Sequence, residues 1–295
     1  MQELLTIVLP CYNEAENIPL FFPELLAFAQ EKHFSVIAVN DGSSDGSEKL
    51  LSAFREQYPN FTLISHKLNR GYGAALKTGL RAVKTDFAIT IDADGQHRLE
   101  DVEKCFAFIQ ETNADIVVGG RQNNQSGTYR TLGKMIIKLF AKSLLKLPVN
   151  DLNSGMKCYR MDEVRDYLEL CPDTMAFSDV VLLLMANDRK LVLETPIKIM
   201  ARTAGKSTIG LRSAIDTAAE ILNLAVLLRP MTTFFRMGSI FVILGIGWGM
   251  FTYIRSVEIT STAVMLMIFG FMCFVLGLLG EQLSKLRKTL AKMDK

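Results

Sequence analysis

The chain has 295 residues, 49% hydrophobic and 22% charged, which is enough for one large globular domain with an addition and excludes disorder as the dominant state. Its 33 Lys and Arg against 31 Asp and Glu leave a formal charge of +2, excluding a nucleic-acid binder that relies on a large positive excess. A mean hydropathy of +0.21 is high for a soluble domain with this much charge, so the apolar residues must be concentrated somewhere.

In chain order, short β-rich runs alternate with helical patterns over the first 125 residues. Leu4 to Leu9, Val36 to Asn40, Phe61 to Ser65, Phe87 to Asp92 and Ile116 to Val118 read as strands. Glu16 to Glu31, Gly46 to Gln57, Gly71 to Lys84 and Leu99 to Gln110 have helical length and period. Such alternation predicts an α/β domain with a mostly parallel sheet covered on both faces, and in such sheets ligands bind at the carboxyl ends of strands. Those ends are polar here: Pro10-Cys11-Tyr12-Asn13-Glu14, then Asn40-Asp41-Gly42-Ser43-Ser44-Asp45-Gly46-Ser47, then Asp92-Ala93-Asp94-Gly95-Gln96-His97. Ser43, Ser44 and Asp45 fit helix caps and turn formers as well as site residues. Asp41, which directly ends an apolar strand, fits that explanation less well.

Asp92 and Asp94 form a carboxylate pair with one residue between them, a pattern that can coordinate Mg²⁺ or Mn²⁺, with Gln96 within reach as a neutral oxygen ligand. Gly71-Tyr72-Gly73 follows a strand and opens a helix, but Leu76 stands where a dinucleotide fingerprint needs its third glycine. These glycines are expected to let the helix start approach the sheet. Five cysteines (Cys11, Cys105, Cys158, Cys171 and Cys273) form no C-x-x-C pair, which fits reduced thiols.

From Ile209 to Arg229 the pattern changes. Leu211, Ile215, Ala218, Leu222 and Val226 recur at helical spacing opposite Arg212, Asp216, Glu220 and Asn223, the signature of an amphipathic helix that lies in a bilayer interface or packs on the domain. Two charge-free runs follow, Met237 to Ile254 with 18 residues and Ile259 to Gly280 with 22. Both reach the length needed to cross the roughly 30 Å core of a bilayer. Only Arg255-Ser256-Val257-Glu258 joins them, so an antiparallel membrane hairpin is expected, spanning about 233–254 and 259–280. The alternative is a pair of buried core helices. Arg229 and Arg236 precede the first charge-free run, while Lys285, Arg287, Lys288, Lys292 and Lys295 follow the second, which predicts both termini and the α/β domain on the cytoplasmic side. The short apolar run at the N-terminus lacks the basic start and length of a signal peptide. The expected organisation is an α/β domain over 1–210, an amphipathic helix over 211–230, the hairpin over 231–283 and a basic tail over 284–295.

Val8 to Asn17, Val39 to Ser47, Asn69 to Leu76 and Asp92 to His97 together resemble the motifs of the GT-A-fold family 2 glycosyltransferases, in order and spacing, across Met1 to about Gly210. More narrowly they are similar to transferases that load sugars onto dolichyl and polyprenyl phosphates, some of which carry a two-span C-terminus. The resemblance implies a nucleotide-sugar donor held by Pro10, Tyr12, Glu14, Asn40, Asp41, Asp92 and Ala93, with Mg²⁺ or Mn²⁺ on Asp94 and Gln96. Arg202 and Lys206 resemble the family's basic loop over the donor diphosphate, the alternative being a solvated surface loop. Arg121 and Arg130 match residues that bind the acceptor phosphate in relatives, with Lys134 where relatives often have serine. Asp151 matches the acid proposed there as a base. A phosphate monoester is already mostly dianionic at pH 7, so Asp151 can instead orient the acceptor or an arginine.

The activity so implied is inverting transfer of one sugar, from a donor of the GDP-mannose or UDP-glucose type, to a polyprenyl or dolichyl monophosphate at the cytoplasmic face of the membrane. Asp94, Asp151 and Arg121 are the residues nearest the chemistry, and homo-oligomers are known among relatives. A processive synthase of the same family would carry a Q-x-x-R-W motif, which a chain whose only tryptophan is Trp248 cannot have. A non-catalytic nucleotide-sugar-binding subunit would be expected to have lost Asp94 or Gln96, and both are present.

Overall fold

The computed structural model describes residues 5–121, 149–152, 154–200, 226, 229–257 and 260–293. These form two compact units, the first comprising residues up to 200 and the second the C-terminal helices. The expected amphipathic helix lies outside the described residues except for Val226, Arg229 and Pro230, the last of which opens the next helix.

Seven strands build the sheet of the first unit: β1 Leu5–Cys11, β2 Ser35–Asn40, β3 Phe61–Ser65, β4 Phe87–Thr90, β5 Ile116–Arg121, β6 Lys157–Arg160 and β7 Val192–Ile197. Their order is β3-β2-β1-β4-β6-β5-β7. Every pairing is parallel except the two made by β6, which runs antiparallel between β4 (Phe87↔Arg160) and β5 (Ile116↔Tyr159). An inverted strand begins where its neighbours end, so the start of β6 lies at the rim where the parallel strands deliver their polar residues.

Alternate β1 residues face opposite layers. Leu5, Ile7, Leu9 and Cys11 join a core with α1 (Ile18–Glu31), α2 (Ser47–Gln57) and α4 (Leu99–Thr112). In α1 the buried residues Ile18, Phe21, Phe22, Leu25, Leu26 and Ala29 recur at three- and four-residue spacing, the stripe a helix needs to cover a sheet. On the other face lies α3 (Tyr72–Ala82), whose Gly79 sits against the side chains of Val8 and Val39. The glycines that open α3 serve another purpose than the one expected. A Cβ on Gly71 would lie 2.6 Å from the carbonyl oxygen of Asp173, and one on Gly73 would lie 2.5 Å from that of Thr174, so both admit a neighbouring loop rather than the sheet. Among the described residues the unit also holds the helices α5 (Met161–Leu168) and α6 (Phe177–Asn187).

In the second unit α7 (Pro230–Ser256) and α8 (Ser261–Met293) pack as a hairpin. Over Pro230–Ser256 and Ser261–Leu286 both are long and apolar enough to cross a membrane. Their seam is lined by glycine. A Cβ on Gly238 would lie 2.6 Å from the carbonyl oxygen of Gly270, and one on Gly270 would lie 2.7 Å from that of Gly238. Such close backbone approach is how helices associate where hydrophobic burial offers no preference between protein and lipid. Beyond Gly280 the backbone stays helical to Met293, so residues 284–293 prolong α8.

Candidate active site

The loops after β1 and β2 are sewn together by short polar side chains. Ser43 Oγ accepts the Asn13 amide at 3.0 Å, Ser47 Oγ accepts that of Glu14 at 2.9 Å, and Asp45 Oδ2 accepts that of Ala15 at 2.9 Å. In return Asn13 Oδ1 accepts the Ser44 amide at 2.9 Å. The serines and Asp45 are therefore turn-building residues. They leave Tyr12, 48% exposed, at the rim, and Glu14 Oε2 accepting the Asn17 side-chain Nδ2 at 2.6 Å.

Asp41 is buried, and its carboxylate collects three donors: the Arg70 and Gly71 amides at 2.9 and 2.8 Å, and His66 Nδ1 at 2.6 Å. His66 Nε2 meets Thr78 Oγ1 at 2.9 Å, which ties β3 and α3 to the same carboxylate. Next to it the buried Asn40 accepts the Ser43 amide at 3.2 Å, and its Nδ2 makes no hydrogen bond. Gly42 is required here: at φ +67, a side chain would meet the Leu68 carbonyl carbon at 2.5 Å.

β4 ends at Thr90, two residues before Asp92, so the D-x-D pair stands on the loop and not on the strand. Asp92 Oδ1 accepts the Tyr72 hydroxyl at 2.9 Å, and Oδ2 lies 3.5 Å from His97 Nε2. Burial opposes ionisation of Asp92, but His97 and the Tyr72 hydroxyl outweigh it and hold the carboxyl below its usual range. Asp94 Oδ1 accepts the amide of Gln96 at 3.1 Å across a turn made at Gly95, φ +71. The far side of this loop is pinned by the bridge of His97 with Ile199 and by the Met200 amide, which donates to the Gln96 carbonyl at 3.0 Å. Asp94, Gly95, His97, Asn17, Phe21 and Met200 line a cleft of about 270 Å³. No group of three or more His, Cys, Asp or Glu is gathered for a metal among the described residues. One carboxylate and one amide oxygen suit Mg²⁺ or Mn²⁺, which take the rest of their ligands from water and substrate phosphate.

Further along the rim, Arg121 at the end of β5 grips Asp151. Nε and Nη2 donate to Oδ2 and Oδ1 at 2.6 and 2.8 Å, and the Arg121 amide donates to Oδ2 at 3.1 Å. Burial would raise the Asp151 pKa; the arginine more than compensates and lowers it, while Asp151 raises that of Arg121. Two parallel bonds fix the guanidinium plane, and among the described residues Nη1 is left for another anion. Gly155 lies so close to Asp92 that any Cβ there would run into the carboxylate, which joins this end of the rim to the D-x-D loop. Arg130, Lys134, Arg202 and Lys206 lie outside the described residues.

The structure adds residues that carried no role in the sequence. Tyr72, His66 and His97 fix the two central carboxylates, and the fully buried Lys157 stands behind Asp151. Tyr72 sits inside a motif, yet nothing in its spacing points to a carboxylate 20 residues away.

A doubly covered, mostly parallel sheet with a D-x-D loop at its carboxyl rim defines a GT-A-like nucleotide-sugar fold. The family model of glycosyl transferase family 2 matches residues 6–168, and that of the GtrB C-terminal hairpin matches residues 229–286. The chain belongs to glycosyl transferase family 2. The undecaprenyl-phosphate 4-deoxy-4-formamido-L-arabinose transferase of Edwardsiella ictaluri is 24% identical over 299 residues, covering 96% of this chain and 90% of that one. A dolichyl-phosphate beta-glucosyltransferase of Trichomonas vaginalis, ALG5A, is 29% identical over 176 residues, 55% of this chain and 54% of that one. Among solved structures, glucosyl-3-phosphoglycerate synthase of Mycobacterium tuberculosis, crystallised with Mn²⁺, uridine diphosphate and phosphoglyceric acid, shares the fold at a TM-score of 0.56 and 16% identity, covering 76% of this chain and 78% of that one.

Proposed function

We propose that this glycosyltransferase moves a single sugar from a nucleoside-diphosphate sugar to the phosphate of a polyprenyl monophosphate, with inversion, and that its α/β domain works at the cytoplasmic face of the membrane that α7 and α8 cross. The observation that carries the reading is the division of one rim into a D-x-D loop at Asp94 and an oriented arginine at Arg121, in a chain that aligns over 96% of its length with a transferase named for undecaprenyl phosphate.

Tyr12, Pro10, Glu14 and Asp41 are assigned to the base and ribose, Asp92 and Ala93 to the nucleotide, and Asn40 to the nucleotide sugar. Asp94 and Gln96 would hold Mg²⁺ or Mn²⁺, which supplies charge neutralisation for the departing diphosphate. Arg202 and Lys206 are assigned to that diphosphate, and Arg121, Arg130 and Lys134 to the acceptor phosphate. An acceptor oxygen attacks the anomeric carbon as the bond to the diphosphate breaks, and the nucleoside diphosphate leaves. The nucleophile arrives as a dianion, so no proton has to be taken from it. Asp151 accordingly serves to orient Arg121, in keeping with its three bonds to that residue and its lowered pKa.

The test is to offer the purified protein a panel of radiolabelled nucleotide sugars with undecaprenyl and dolichyl phosphate and to count label extracted into organic solvent. Label from one donor, dependent on added lipid phosphate and divalent ion, is the expected result. Label in water-soluble or polymeric product would refute the reading.

A further inference from the structure

Lys157 opens β6 with none of its surface exposed. Lysine is almost never buried so fully, because its ammonium loses hydration that only good hydrogen bonds restore. Here all three N–H donors are used: Nζ donates to the Leu152 carbonyl at 2.7 Å, to the Ser154 carbonyl at 2.9 Å and to Ser178 Oγ at the start of α6. Two of these acceptors belong to the stretch that follows Asp151 and ends at Gly155 against Asp92. Asp179, Asp151 and Asp92 surround the ammonium and favour its charge, with Arg121 opposing. A strand that only filled the sheet would place an apolar side chain here, as β1 does.

We propose that Lys157 is a positioning residue for the acceptor end of the site: by clamping the Leu152 and Ser154 carbonyls to α6 it holds the Asp151 carboxylate where it can fork Arg121. The proposal rests on the reading of Arg121 as an acceptor-phosphate ligand. It assigns no contact with substrate to Lys157, which solvent cannot reach.

The experiment uses the full-length protein in detergent or nanodiscs with Lys157→Met, which keeps the stem and removes the charge and donors. Expected are donor-nucleotide affinity within about twofold of wild type, a kcat/KM for lipid phosphate lower by about 100-fold, the scale of a misplaced positioning group, and faster amide exchange at Leu152, Ser154 and Arg121. Added to Arg121→Ala, Lys157→Met should cost nothing further, because the two act through one another. Losses that multiply in the double variant, or a fall in donor affinity equal to that in acceptor kcat/KM, would overturn the proposal and leave Lys157 as general scaffold. Should Lys157→Met fail to fold, Ser178→Ala removes one acceptor and keeps the charge. It is expected to raise the acceptor KM and speed exchange at Leu152 and Ser154, and no change in either overturns the clamp. A wild-type protein that glycosylates no lipid phosphate refutes the acceptor reading, whereas unaltered exchange at Leu152 and Ser154 in the variants refutes the role of Lys157.

Discussion

Arg121 and Asp151, 30 residues apart in the chain, meet as a two-point fork with Nε–Oδ2 at 2.6 Å and Nη2–Oδ1 at 2.8 Å. The pair gives the guanidinium one allowed plane. Asp151→Ala is therefore expected to act as a lesser form of Arg121→Ala: acceptor KM rises by about 100-fold, no less than Lys157→Met costs, kcat changes little, and the double variant is no worse than Arg121→Ala alone. Steady-state kinetics with lipid phosphate as the varied substrate decide it, since a true base would show its loss in kcat.

The same fork fixes a pH dependence. The folded pKa of Asp151 is lowered, so the stabilisation it contributes is present above the ordinary carboxylate value near 3.9 and is lost as pH falls through the lower folded value. Acceptor KM should consequently stay flat from pH 8 down to about pH 5 as far as this residue is concerned. An acid limb near neutrality that vanishes in Asp151→Asn would contradict this.

Lys157 titrates in the opposite range. Burial pulls its pKa from 10.5 to about 8, against Asp179 on α6, Asp151, and Asp92 after β4, with Arg121 of β5 adding to the fall. Between about 8 and 10.5 the folded chain binds fewer protons than the unfolded one, so this group makes stability rise with pH while the clamp on Leu152 and Ser154 weakens. Acceptor kcat/KM is expected to decline above pH 8 without a matching fall in thermal stability, and the decline should be absent in Lys157→Met.

Asp94→Asn should reduce transfer by about 10²- to 10⁴-fold, the worth of several kcal/mol of charge neutralisation. Chelation of divalent ions should match it, and the two together should cost no more than either alone. Calorimetric titration of the nucleoside diphosphate with and without Mg²⁺ or Mn²⁺ gives a second readout, in which the variant loses the metal's contribution.

Along the hairpin seam, Gly270→Leu would force α8 away from Gly238, whereas Gly247 has open space around it. The first is expected to lower the unfolding temperature in detergent and the second, as Gly247→Leu, to leave it unchanged. Equal effects would mean that the glycines do not form the contact.

The strands and helices from Leu5 to Arg121 are legible because each is a clean apolar run or stripe between turn residues. β6 escapes that reading: Lys157-Cys158-Tyr159-Arg160 carries two cations in four residues, and the buried lysine makes sense only with Leu152, Ser154 and Ser178 around it. α6 escapes because Phe177 to Met185 is buried nearly all round and leaves no amphipathic period. At the site, the acids were legible from type and placement. Arg121 was legible too, with Asp151 open to orienting an arginine, but the keepers of the other two acids were not, since Tyr72 and His66 reach Asp92 and Asp41 across 20 and 25 residues of chain.

The inverted strand also imposes an order of assembly. β4 and β5 are neighbours in sequence yet not in the sheet, and must stand apart until β6 slides between them. A nascent chain that ends at Arg121 holds β3, β2, β1 and β4 and the partners of the Asp41 carboxylate, whereas the Asp94 loop still lacks Ile199 and Met200, which pin its far side. The end of the rim that holds Asp151 and Lys157 exists only after residue 160 has been made and paired. An oriented Arg121 thus waits on Asp151, 30 residues further along the chain, and on the strand that follows it.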